Sequence, residues 1–321
     1  MTAAFKFSNG PPVSITPGAV PERSMDSDAP LRRRSVIELE PADVPVIETE
    51  LFLRETLPPA PARVLEVGAG DGRLAARLAL GGWDVTAVDC SEQAVAAARA
   101  RGVDAVCADF LEYRGGPFDV VAFTRSLHHM PLEPALERAE ALLARDGVLI
   151  LEEFAYERAD ESTAQYLEDE LEEFRELGYL AAGGPAAAAA PRAPGPAFAL
   201  RSGAGRDGLD TPGALEAPDT PAGFARDGNP LERWVAYFRD ERQVHEGAAL
   251  ARAIAWRFDL LRAERAPYLY RFVATETAGR EEAVRALIGL IDREEQLISQ
   301  RMIQAVGFRL VARLRRPEAG R

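Results

Sequence analysis

The sequence predicts an α/β fold, a parallel sheet covered by helices on both faces. Three observations carry this. Apolar runs of strand length recur, "RVLEVG", "DVTAVD", "FDVVAFT" and "GVLILEEF" among them. Stretches with helical spacing separate most of them, the pattern of strands buried on both faces. The first strand-to-helix junction is a glycine-rich turn, Gly68, Gly70 and Gly72 in five positions. One glycine would satisfy a tight turn that needs positive φ; three point to a ligand held close to the backbone at a helix N-terminus.

The elements follow in order. Residues 1–35, rich in Pro, Ser and Gly without periodicity, are expected to form a disordered tail. A helical pattern runs from Ser35 to Leu57, closed by Pro58 and Pro59. Strand "RVLEVG" leads into a helix from Gly72 to Leu80. Strand 84–89 leads into a helix capped by Ser91 and stopped by Gly102. "VDAVCAD" and 118–124 are the third and fourth strands, Pro134 to Arg145 a helix, and 147–154 the fifth strand. An acidic amphipathic helix follows from about Ser162 to Leu180, with Leu167, Leu171 and Phe174 along one side. Residues 181–228 are of low complexity and read as a flexible insertion. Asn229 and Pro230 mark a helix start, and Gly247 to Trp256 a further helix. A strand at 267–274, with Tyr268 and Tyr270 on one face, a long helix from Glu281 to Val306 and a strand at 307–314 close the chain. The acidic runs "EDELEEFRE" and "DREEQ" read as solvated helix faces.

The chain of 321 residues can build a sizeable core, and its formal net charge of −13 argues against a nucleic-acid partner. The basic cluster "LRRR" at 31–34 is isolated. Cys90 and Cys107, both in apolar stretches, are expected half-buried; they give neither a disulfide framework nor a metal-binding spacing, and suit a reducing cytoplasm. No apolar run reaches membrane-spanning length and none near Met1 resembles a secretory signal, while Glu22, Asp26 and Asp28 argue against a transit peptide.

Acidic residues fall at strand ends, where open α/β sheets bind ligands. Asp89 lies 19 positions beyond Gly70, near the offset at which a carboxylate meets a ribose diol. Asp109 ends the third strand, where it could accept from an exocyclic amine, with Phe110 beside it as a wall for a flat base. The dinucleotide fingerprint needs a small residue at position 73, and Arg73 stands there, which disfavours a nicotinamide enzyme.

The "E-x-G-x-G-x-G" string at Glu66 to Gly72, with Asp89, "ADF" at 108–110 and "FDVV" at 118–121, resembles the class I S-adenosylmethionine-dependent methyltransferases. "TRSLHHM" and "LLARDGVLILEEF" are most similar to the branch called methyltransferase type 11. The resemblance covers residues 60–154, and the closing strand–helix–strand is similar to the antiparallel hairpin that ends the family sheet. It implies a Rossmann-like, seven-stranded, mostly parallel sheet with an antiparallel last strand. It also implies one domain over 36–321, with a helical lid between strands 5 and 6 at 155–265. By the same resemblance Glu66 and the loop Gly68, Ala69, Gly70, Gly72 would hold the methionine end of S-adenosylmethionine. Asp89 would bind the ribose hydroxyls with Cys90 against the adenine. Asp109 and Phe110 would fix the adenine, and Thr124 and Arg125 would border the methionine moiety.

The expected function is methyl transfer to a small-molecule acceptor by in-line displacement; a non-catalytic cofactor-binding scaffold is the alternative. His128 and His129 follow the fourth strand, where the methyl should point, and His128 is the first choice for a base. One of them packing to order the loop is the competing reading. Glu152 and Glu153 end the fifth strand, and alternation should send them to opposite faces; Glu153 is kept as a candidate base or clamp. His245 reads as a surface residue.

Overall fold

The structure, a computed structural model, describes residues 39–181 and 228–315. The expected N-terminal tail and nearly all of the 181–228 insertion lie outside the described residues. Seven strands form one sheet in the order β3-β2-β1-β4-β5-β7-β6. They are β1 (Arg63–Val67), β2 (Asp84–Asp89), β3 (Asp104–Cys107), β4 (Phe118–Thr124), β5 (Leu143–Phe154), β6 (Phe258–Ala266) and β7 (Gly307–Leu314). β1 to β5 run parallel, and β7 is antiparallel to both β5 and β6.

The helices are α1 (Asp43–Thr56), α2 (Arg73–Leu80), α3 (Glu92–Ala100), α4 (Leu132–Leu142), α5 (Glu161–Glu176), α6 (Pro230–Ala236), α7 (Gly247–Arg257), α8 (Leu269–Glu276) and α9 (Glu281–Ser299). Local chemistry sets several ends. The Ser91 hydroxyl accepts from Ala94 N at 3.2 Å to cap α3, and Gly102, at φ +82°, follows its end. Asn229 Oδ1 accepts from the Leu231 and Glu232 amides ahead of Pro230.

Strand alternation divides the core. Val64, Val120 and Ile150 face α1, α2 and α3, packing with Phe52, Leu53, Leu78 and Val95. Leu65, Val67, Val121 and Leu149 face the other way, against Leu136 of α4 and Leu250 and Ile254 of α7. A third core lies beyond the strand ends: Phe154, Leu167, Trp234, Phe238, Tyr268, Phe272 and Leu287, with Val44 of α1 against it.

That third core is a helical cap, and its composition corrects the sequence reading. α5 and α6 come from the β5–β6 connection, as expected. The sixth strand lies at 258–266, however, and the segment expected as a strand is mostly α8, so α8 and α9 of the β6–β7 connection also join the cap. "PYLYRFVA" reads as a strand by its aromatics and valine, but Tyr268, Tyr270, Phe272 and Val273 are all buried, a helix enclosed on every side. Glu294 of α9 fixes it there by accepting from the Tyr268, Leu269 and Tyr270 amides at 2.6, 2.9 and 3.0 Å. "DREEQ" is therefore not wholly solvated: Glu294 is buried as the N-terminal acceptor of α8. Glu170 in the other acidic run is also buried, paired with Arg293 at 2.7 Å. α9 ends at Ser299, short of the expected Val306, and β5 starts at Leu143 directly after α4. Cys90 and Cys107 are exposed, not half-buried, because the outer strand β3 leaves both uncovered.

Candidate active site

The three loop glycines serve three different needs. All take positive φ: +70° at Gly68, +55° at Gly70 and +72° at Gly72. A Cβ on Gly68 would lie 2.5 Å from Ser126 Cβ, so this glycine lets the loop pass the end of β4. A Cβ on Gly72 would lie 2.6 Å from Ala98 Cβ, so this one lets the loop and the start of α2 pack on α3. A Cβ on Gly70 would meet nothing within 4 Å. Its backbone faces open space, the place where a ligand can approach.

The loop is tied to the second strand end. Gly70 N donates to Asp89 Oδ2 at 2.8 Å, and Ser91 N donates to Asp89 Oδ1 at 2.9 Å. Each carboxylate oxygen keeps a second lone pair, so an oriented acceptor remains for a diol. Asp109 Oδ1 accepts from Leu111 N at 2.8 Å. Phe110 next to it is only 4% exposed and sits edge-on to Phe123 at 5.3 Å, in the sheet core.

Beside the loop is a cavity of about 160 Å³ lined by Glu66, Gly68, Ala69, Gly70, Asp71, Arg73, Leu74, Thr124 and Arg125 and covered by Val46 and Thr49 of α1. A larger hollow of about 460 Å³ opens between residues 39–42 and 274–281. None of the strand-end acids lines it, so the smaller cavity is the candidate site. Glu66 is 2% exposed, and its Oε2 has no hydrogen-bond partner. Burial pushes its carboxyl up to about 8, against the opposing pull of Arg125 and Thr124. Arg125, at φ +68°, also has a buried Nε without a partner, and its amide donates to Glu152 O at 2.8 Å.

Glu152 and Glu153 do point to opposite faces. Glu152 meets Arg271 of α8 at 3.0 Å, Arg309 of β7 at 2.8 Å and the Thr49 hydroxyl of α1. Despite the cost of burial, these partners hold its carboxyl down at about 2. Arg271 also donates to Pro45 O at 3.0 Å, so this network fixes α1 over the cavity. Sequence reasoning missed Thr49, Arg271 and Arg309, although an arginine inside the apolar run "YLYRFVA" is the signal of a buried, partnered charge.

On the other face, Glu153 Oε1 accepts from the Leu127 and His128 amides at 2.9 and 3.3 Å, and Oε2 lies 2.6 Å from His128 Nδ1. Both side chains are fully buried. His128, first choice as base from the sequence, is thus the histidine fastened into the turn Leu127–His129. His129 is half-buried, its ring 4.0 Å from that of His128. His245 is not a plain surface residue: its Nε2 lies 2.9 Å from Met130 O, and its amide donates to His128 O. Among the described residues no group of three or more His, Cys, Asp or Glu is placed to hold a metal ion, and no helix is long and apolar enough to cross a membrane.

Residues 65–151 match the family model described as a methyltransferase domain. A ubiquinone biosynthesis O-methyltransferase of Xylella fastidiosa is 32% identical over 105 residues, 30% of this chain and 43% of that protein. Its counterpart in Xanthomonas oryzae is 31% identical over 138 residues, 40% of this chain and 54% of its own. The chain therefore spans about half the length of these curated relatives. The solved geranyl diphosphate C-methyltransferase of Streptomyces coelicolor aligns over 84% of this chain and 76% of its own, with 12% identity and a TM-score of 0.46. The matched stretch runs from β1 to β5 and contains the glycine loop, Asp89, Asp109 and the buried Glu66. Residues 65–151 thus form the core of a class I S-adenosylmethionine-dependent methyltransferase domain.

Proposed function

We propose that this chain transfers a methyl group from S-adenosylmethionine to a small-molecule acceptor. The observation that carries the reading is the open backbone at Gly70, bonded to Asp89 and bordered by a cavity with unpartnered buried atoms of Glu66 and Arg125. These residues fit the cofactor: Asp89 offers acceptors to a ribose diol, Asp109 to an amine, and Glu66 with Arg125 a polar pocket to the methionine end. When bound, S-adenosylmethionine supplies an electrophilic methyl on a sulfonium.

The chain's own task is then alignment and exclusion of water. The Glu152 network holds α1 over the methionine end. Glu153 and His128 fix the turn after β4. His129, the less buried histidine, is the candidate to take a proton from the acceptor. Because the relatives carry the name of O-methyltransferases, hydroxyl acceptors are the first to test. A cytoplasmic setting belongs to the same reading, supported by two exposed thiols in place of a disulfide.

The test is incubation of the full chain with methyl-labelled S-adenosylmethionine and fractionated small-molecule extract, hydroxylated aromatics included. A labelled product that disappears in the Asp89→Ala variant is expected. Tight cofactor binding without a labelled product in any fraction would favour the scaffold reading instead.

A further inference from the structure

The chain has two cysteines, Cys90 and Cys107, 17 positions apart, and the fold sets them side by side. Cys107 closes β3 in register with Asp89, the last residue of β2, and Cys90 follows Asp89 directly. The Cys107 side chain turns toward that bend, its Sγ 3.7 Å from Cys90 O. Parallel strands lie about 4.8 Å apart and one Cα step is about 3.8 Å, which puts the two cysteine Cα atoms about 6 Å apart. A disulfide spans about 4.4 to 6.8 Å between Cα atoms. Both residues are exposed, although cysteine is among the residue types most often buried. Two accessible thiols within bonding reach of each other are open to oxidation. Asp89 stands between them. Its Oδ2 accepts from Gly70 N at 2.8 Å, its Oδ1 accepts from Ser91 N at 2.9 Å, and Ala108 N donates to its carbonyl at 3.0 Å. The backbone that must shift to join the two sulfurs is the backbone that aims this carboxylate.

We propose that Cys90 and Cys107 are a thiol pair that a hydroperoxide converts to a disulfide, and that this disulfide and the bound cofactor exclude each other. One thiolate attacks hydrogen peroxide and the O–O bond breaks. Sulfur keeps one oxygen as a sulfenic acid, and the other leaves as hydroxide and takes up a proton. The second thiol then displaces the sulfenic oxygen as water, and the S–S bond forms. Both thiol protons end in water, and two electrons pass from sulfur to peroxide. In a reducing compartment the dithiol is the resting form, so closure is a transient event that a thiol reductant reverses. Closure draws Cys90 and the 89–91 turn toward β3 and pulls the Asp89 carboxylate off its aim at the glycine loop. The thiol chemistry follows from strand register alone; its effect on ligand binding rests on the S-adenosylmethionine reading.

The experiment treats the full chain with a slight molar excess of hydrogen peroxide, with and without saturating S-adenosylhomocysteine. Tryptic peptides are mapped without reductant, and binding is measured by calorimetry. Without ligand, a disulfide should join the tryptic peptides 78–99 and 102–114 within one chain. The oxidised protein should bind S-adenosylhomocysteine about tenfold more weakly or worse, and dithiothreitol should restore the parent affinity. Saturating S-adenosylhomocysteine should slow the cross-link about tenfold, the reciprocal of the same coupling. Cys107→Ser should form no cross-link and, in the reduced state, should bind S-adenosylhomocysteine as the parent does. Consumption of both thiols without that cross-linked peptide, or with links between chains in its place, overturns the pair. A cross-link that leaves S-adenosylhomocysteine affinity unchanged overturns the exclusion and leaves the cofactor reading standing. Failure of the reduced parent to bind S-adenosylhomocysteine at all overturns the cofactor reading and the exclusion together, and the cross-linked peptide then decides the thiol pair by itself.

Discussion

Alanine at Gly70 and at Gly72 should fail in opposite ways, and the difference can be worked from the backbone. Both positions have positive φ, where a Cβ costs about 1 to 2 kcal/mol. At Gly72 the added carbon also meets Ala98 Cβ at 2.6 Å and Ala98 Cα at 3.0 Å. Backbone cannot swing aside as a side-chain tip can, so overpacking adds about 1 to 3 kcal/mol. Gly72→Ala should therefore lose about 2 to 5 kcal/mol of stability, a fall in Tm of roughly 5 to 10 °C. At Gly70 the new methyl meets no protein atom within 4 Å, so only the dihedral cost applies and Tm should drop by about 2 to 4 °C. That methyl instead occupies the space in front of the loop, and S-adenosylhomocysteine affinity should fall about tenfold or more, at least 1.4 kcal/mol. Thermal melts with and without ligand, alongside calorimetric titration, separate the two effects. A Gly70→Ala protein that melts below Gly72→Ala, or that binds like the parent, would refute this division of labour.

Other substitutions probe the remaining parts. Arg271→Met leaves buried Glu152 with Arg309 as its remaining ion-pair partner, and chemical denaturation should record a loss of about 3 kcal/mol or more. Because Arg271 also holds Pro45 O, that variant should bind S-adenosylhomocysteine more weakly too; unchanged stability would show that the network contributes nothing net. His129→Ala should slow methyl transfer by about 10²- to 10⁴-fold with ligand affinity unchanged, as for a positioned base, and turnover equal to the parent's would leave alignment alone at work. Glu66→Gln should alter the pH profile of stability in the ligand-free protein. A folded value of about 8 against an ordinary 4.5 means the parent keeps this contribution below 4.5 and loses it progressively as pH rises through 8. The variant has nothing to ionise, so its advantage in denaturation midpoint should grow from pH 5 to 8 and then level off; a constant offset would contradict a buried neutral Glu66.

The sheet was legible because its central strands announce themselves. "DVTAVD", "FDVVAFT" and "GFRLVARL" lie where their apolar runs put them, at 84–89, 118–124 and 307–314, and Ser91 and Asn229 cap the helices they precede. The placement of the glycine loop and the strand-end acids was legible for the same reason: Gly68 to Gly72, Asp89 and Asp109 each follow or close a strand. The cap was not. "PYLYRFVA" is as apolar as a buried strand, and only tertiary contacts, three amides donating to Glu294, make most of it a helix. Glu294 is 26 residues from Tyr268, Arg271 is 222 from Thr49, and Glu152 is 157 from Arg309. No local pattern encodes partners at such separations. The histidines show the same limit: their place after β4 could be read, but which of the two is fastened depended on Glu153 reaching across from β5.

The most direct test of the account is a calorimetric comparison of the full chain and its Asp89→Ala variant, each titrated with S-adenosylhomocysteine and with NAD. The parent should bind S-adenosylhomocysteine at one site and should not bind NAD. The variant loses a charged acceptor for the ribose hydroxyls as well as the anchor of the Gly70 amide, so binding should weaken by about 1.5 to 3 kcal/mol, roughly 10- to 150-fold. Equal affinity in the two proteins, or preference for NAD, would contradict the assignment of this loop and these carboxylates to S-adenosylmethionine.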